Sequence, residues 1–118
     1  MLSIFIDPYE KTITEVEMPS GPDGWKAIGP KLQCRMFSCC YPADFDDTLY
    51  IDDEGLLNHN RTGFFAFKGV PQPLVGRCLT IGSTECGDST NCKQTLADVK
   101  SRVRWMIYPE VLEFAKGI

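Results

Sequence analysis

Six cysteines, one histidine, a run of carboxylates and a few arginines are the residues whose chemistry could go beyond packing. Cys39 and Cys40 are adjacent, Cys86 and Cys92 are separated by five residues, and Cys34 and Cys78 complete the set. Four thiolates brought together could bind zinc, but the usual knuckle of two to four intervening residues is missing. In an oxidising compartment six cysteines would suggest three disulfides. The start Met1-Leu2-Ser3-Ile4-Phe5-Ile6-Asp7 has neither the basic head nor the long apolar core of an export signal. Reduced thiols in a cytoplasm, acting as small hydrophobes, are therefore expected.

His59 could act as a general base, or pair with a thiol. Its setting, Asn58-His59-Asn60-Arg61, is that of a polar turn. Asp44, Asp46, Asp47, Asp52, Asp53 and Glu54 form the densest charge cluster. Asp44-x-Asp46 begins like a calcium loop, but the sixth position is Leu49 and the twelfth is Gly55, where that loop needs glycine and glutamate. The cluster reads as two solvated turns flanking Thr48 to Ile51, or as an acidic face for a basic partner protein. Asn60, Arg61 and Arg77 could recognise a phosphate or carboxylate, since a guanidinium matches such groups bidentately. No phosphate-cradling glycine motif, nucleophile elbow or paired-histidine motif accompanies them.

Trp25, Phe37, Tyr41, Phe64, Phe65 and Phe67 are many aromatics for a small domain. Phe64 and Phe65 are adjacent, so the three phenylalanines cannot all face one side of a strand. An aromatic left exposed would mark a partner surface. The candidate partner-binding residues are thus Asp46, Asp47, Asp52, Asp53, Glu54, Phe64 and Phe65. The candidate ligand-binding residues are Asn60, Arg61 and Arg77. No catalytic residue, metal site or cofactor is assigned.

These groups must be positioned by one domain, since 118 residues fit a single core. An apolar fraction of 43% and a charged fraction of 24% are ordinary for a globular protein. The net charge of -4 disfavours a grip on nucleic-acid phosphates. No stretch of about 18 apolar residues predicts a membrane span.

Leu2–Asp7 and Thr12–Glu17 read as a hairpin around the turn Pro8 to Lys11, although Ile13 and Val16 fall out of strict alternation. Trp25 to Leu32 could form a short helix interrupted at Gly29-Pro30. Cys34 to Tyr41, Thr48 to Asp52 and Val75 to Ile81 are strand candidates, Phe64 to Phe67 is a strand or a core-packing loop, and Leu56-Leu57 could start a return strand. Thr95 can cap a helix, with Leu96, Val99, Val103 and Met106 along one face. Pro109 opens a last helix, Glu110 to Lys116. The expected fold is α+β, a mostly antiparallel sheet of four to six strands with a C-terminal amphipathic helix, the one begun by Thr95, packed on one face.

The N-terminal hairpin I-F-I-D-P-Y-E-K-T-I-T-E-V-E is followed by D-T-L-Y-I-D-D-E-G-L-L, then Asn60-Arg61 and P-L-V-G-R-C-L-T-I-G. A polar Gly87-Asp88 segment and a terminal helix complete the order. Over about residues 3–106 this resembles a family of small proteins of bacteriophages, prophages and plasmids that is known only as a domain of unknown function. Cys34 to Cys40 and Phe64 to Pro73 depart from the family's pattern. The resemblance implies a genomic setting, a host cell's cytoplasm, and carries no catalytic residues. It implies a non-enzymatic binding protein that occupies a host defence or regulatory protein. The alternative is a binder of a phosphorylated or nucleotide-like small molecule, and an enzyme stands third. Self-association through exposed aromatics is a further expectation.

Overall fold

Ile4 and Ile6 fall on one face of the first strand and Phe5 on the other, so the hairpin has apolar groups to bury in two directions. The computed structural model describes residues 1–53, 62–86 and 88–116, and in it both faces are covered. The strands are β1 (Leu2–Asp7), β2 (Thr12–Glu17), β3 (Phe37–Cys40), β4 (Thr48–Asp52), β5 (Phe64–Phe67), β6 (Leu74–Val75), β7 (Cys78–Ser83), β8 (Ser89–Thr90) and β9 (Val103–Met106). The helices are α1 (Ile28–Leu32), α2 (Leu96–Arg102) and α3 (Tyr108–Lys116).

One antiparallel sheet runs β2-β1-β7-β4-β3, with β8 paired to β7 as its sixth strand. β7 is central, and its alternation sets the layers. Cys78 and Thr80 face one way, with Ile6 and Ile4 beside them; Leu79 and Ile81 face the other. On the first face Ile4, Ile6, Leu49 and Cys78 pack with Phe65, Phe67, Leu74 and Val99. On the second, Leu79 and Ile81 pack with Met18, Ile28 and Leu32, the last two from α1. Ile13 packs against the first core and Val16 against the second. Their odd spacing is thus what a strand between two cores requires. At the turn between β1 and β2, Asp7 Oδ1 accepts the amides of Tyr9 and Glu10 at 3.0 and 3.3 Å. A short carboxylate mimics a backbone turn in this way.

The expected α+β class is found, together with a second, three-stranded antiparallel sheet, β6-β5-β9. Two expectations are corrected by it. The stretch Val75 to Ile81 is not one strand. Gly76, at φ +87°, turns the chain from β6 in the small sheet to β7 in the large one, and its amide donates to the Gly63 carbonyl at 2.9 Å. That φ is costly for any residue with a Cβ. Nor does the helix after Thr95 reach Met106. It stops at Arg102, and Val103–Met106 pairs with β5, placing Trp105 opposite Phe65 and Val103 opposite Phe67. Val103 and Trp105 suit a pleated surface, and a ladder with β5 satisfies backbone groups that helix would otherwise pair internally.

Smaller differences have local causes. A 3-10 turn over Gly24–Ala27 precedes α1, and Pro30 does not interrupt α1 because the first turn of a helix has no use for its missing amide. Gln33, in the left-handed region at φ 55°, ends it. The strand expected over Cys34 to Tyr41 is limited to β3. α3 begins at Tyr108, where Glu110 Oε1 reaches back to the Ile107 amide at 3.1 Å, half of a capping box. The Thr95 cap is present, accepting the Asp98 amide at 3.1 Å. Leu56-Leu57 lie outside the described residues. No helix among the described residues is long and apolar enough to cross a membrane.

Candidate functional site

Of the carboxylates clustered in sequence, the described Asp46, Asp47, Asp52 and Asp53 do not share one surface. Asp46 and Asp47 precede β4 and Asp52 ends it, so the two acidic turns stand at opposite ends of a strand, about 17 Å apart at the usual rise per residue. Asp46 is exposed and accepts from the Gln94 side-chain amide at 3.3 Å. Asp53 is exposed, and with Asp52 it lines a shallow pocket of about 140 Å³ beside Ser38, Gln72 and Pro73.

Asp47 corrects the partner-surface expectation outright. It is only 3% exposed. Its carboxylate accepts the Lys93 amide at 2.8 and 3.0 Å and the Gln94 amide at 2.8 Å. It therefore holds the approach to α2 onto the sheet, and no partner can reach it. Phe64 and Phe65 are corrected for a related reason. β5 is the middle strand of the small sheet and is covered on both faces. Phe65 enters the main core against Trp105, and Phe64, on the opposite face, lies under Tyr108 with ring centroids 6.1 Å apart. Alternation sends the two rings in different directions, but both are buried. Glu54, Asn60, Arg61 and His59 lie outside the described residues.

Arg77, the remaining ligand candidate, is engaged within the fold. Its Nε lies 3.4 Å from Asp7 Oδ2, and its guanidinium stacks 4.7 Å from the Tyr9 ring centroid. These contacts brace the first turn against β7. Arg102 works similarly, donating to the carbonyls of Lys68 and Asp44 at 3.2 and 2.6 Å and lying over Phe45.

None of the six cysteines is joined in a disulfide. Among the described residues no group of three or more histidines, cysteines or carboxylates is placed to hold a metal. Cys39 and Cys40 alternate along β3, Cys39 outward and Cys40 against the core. Burial pushes the Cys78 thiol well up, and does the same to Cys40 and Cys92. Because the thiolate is the nucleophile, iodoacetamide applied to the native protein is expected to label exposed Cys39 and Cys86 first. Cys78 should stay unlabelled until the protein unfolds. Mass spectrometry of digests at successive times checks this order, and early labelling of Cys78 would show that the central strand opens readily.

Sequence reasoning gave no particular role to a groove on the second face. It has a volume of about 540 Å³ and is lined by Met1, Met18, Pro19, Trp25, Ile28, Asp88 and Ser89 among others. The segment from Pro19 to Gly24 builds one wall. Gly24 lies so close to the Pro19 carbonyl that a Cβ would come within 2.6 Å of its oxygen. This tight return leaves Trp25 at the rim, 58% exposed. Asp88 stands in the other wall. Its backbone is held by Thr84 on both sides, the Thr84 hydroxyl accepting its amide at 3.1 Å and the Thr84 amide donating to its carbonyl at 2.8 Å. The one legible signal was a tryptophan directly after a run of turn formers.

Comparison of the chain with protein-family models, curated proteins and solved structures gives no match.

Proposed function

We propose that this chain is a non-catalytic binding protein that acts by occupying a partner protein. The observation that carries this reading is Trp25, a large ring held mostly in solvent at the rim of a groove by a tightly turned loop. Tryptophan is among the commonest anchors of protein interfaces, where a few aromatic side chains supply most of the binding energy. Met36 and Tyr41, at 54% and 76% exposure, flank edge strand β3 and add apolar contact. The net charge of -4, with Asp46 and Asp53 on the surface, favours a basic partner and speeds its encounter. The resemblance to small phage, prophage and plasmid proteins makes a host defence or regulatory protein the natural partner class, an argument from setting rather than from a site.

The test is native mass spectrometry of the protein mixed with host-cell lysate, run in parallel on Trp25→Ala and on an Asp46→Lys/Asp53→Lys variant. A defined added mass of protein size is expected with the parent chain. It should fall or vanish in the variants while their melting temperatures stay close to the parent's. Equal capture by all three proteins, or a homo-oligomer with no added mass, would overturn the proposal.

A further inference from the structure

We propose that the Trp25 groove is the docking site for a basic, extended segment of the partner, with one lysine or arginine side chain held between the Trp25 ring and the Asp88 carboxylate. The proposal rests on the binding-protein reading above and supplies its site and its chemistry.

Charge complementarity selects the occupant. The Met1 terminal ammonium also lines the groove, but it is already held by Glu17 Oε2 at 3.0 Å and the Met18 carbonyl at 2.8 Å. Among the described residues Asp88 is then the one charged side chain in the lining, and it is exposed, with no described residue paired to its carboxylate. A carboxylate without a partner gains most from a cation that can also donate hydrogen bonds. Trp25 adds the second half of the recognition, since the indole face attracts cations more strongly than any other side-chain ring.

The chain itself shows that the combination works. Lys26 Nζ lies 6.0 Å from the Trp25 ring centroid and 3.3 Å from Asp23 Oδ1. An ammonium is thus already shared between this indole and a carboxylate at the groove's outer rim. Lys26 and Asp23 are 62% and 80% exposed, so this internal pair is screened by water and easily rearranged.

The walls suit a chain rather than a compact ligand. Pro19 and Pro22 limit the backbone freedom of one wall, which lowers the ordering cost of binding there. Ser89, next to Asp88, lies on β8, which among the described residues pairs with β7 alone, and an extended segment could run alongside it. Met18 and Ile28 give the floor apolar area for the aliphatic stem of a lysine or arginine.

The decisive experiment is a titration of the full chain with a fluorescein-labelled Gly-Arg-Gly-Arg-Gly peptide. It is followed by anisotropy and by the two tryptophan indole signals in ¹H–¹⁵N NMR spectra. The Trp25 indole signal should move and the Trp105 signal should not. Affinity should fall about tenfold in Trp25→Ala and in Asp88→Asn, and further in Asp88→Lys. It should weaken with added salt and be absent for a peptide carrying glutamate in place of arginine. An unmoved Trp25 signal, or equal affinity in Asp88→Lys and the parent, would sink the inference. If partner capture is lost in Asp53→Lys but not in Asp88→Lys, the binding-protein reading survives at another surface and this one falls.

Discussion

Replacing Phe65 by alanine is expected to cost about 3–5 kcal/mol of stability, the range for truncating a buried phenylalanine. Phe65 is fully buried and belongs to the core that joins β1, β4 and β7 to the small sheet. It also holds the edge of Trp105 across the β5–β9 ladder, with centroids 6.4 Å apart. Removing it opens a cavity between the sheets and deprives both of a shared contact. For a domain of this size the loss corresponds to a fall in melting temperature of about 10–20 °C, readable by circular dichroism. Since small domains are stable by only about 5–15 kcal/mol, much of the margin would go. Trp25→Ala, by contrast, removes an exposed ring, and its effect should stay within about 0.5 kcal/mol. The pair separates the two uses of an aromatic here. If Phe65→Ala kept its stability, the inter-sheet core described above would be wrong.

Asp47→Ala should be the second large loss, about 2–4 kcal/mol. The carboxylate accepts two backbone amides through three short contacts. Its removal leaves those donors without a partner next to a buried site, and an unsatisfied buried amide costs more than the net worth of the bond it had. Asp47→Asn keeps one acceptor but turns a donor toward a donor, so it should fall between alanine and the parent. The matched control is Asp46→Ala, one residue away on the surface, expected to change stability by about 0.5 kcal/mol or less. Urea unfolding of the four proteins measures this. If Asp46 and Asp47 behaved alike, the buried role of Asp47 would be refuted.

Both large effects fall on residues that the sequence marks as surface candidates, and the reason is physical. Acidic residues beside a strand are usually solvated, and nothing local distinguishes Asp46 from Asp47. Their difference is made by Lys93 and Gln94, 46 and 47 positions further on. Phe64 and Phe65 show the same limit. The rule that neighbours on a strand point oppositely holds, but whether both faces are covered depends on β9 and on Tyr108, far along the chain. The helix that ends early at Arg102 is the converse case. Leu96, Val99, Val103 and Met106 satisfy a helical stripe, and only the availability of β5 as a pairing partner decides for strand after Arg102.

Local chemistry was enough for the first hairpin, for β4, for the Thr95 cap and for the α+β class. In each, alternation, turn formers or a capping hydroxyl act over a few residues. Tertiary structure alone decided the second sheet, the burial of Asp47, the separation of the two acidic turns, and the placing of Asp88 across a groove from Trp25. Those depend on contacts between segments distant in sequence, and periodicity carries no record of which distant segment will cover a given face.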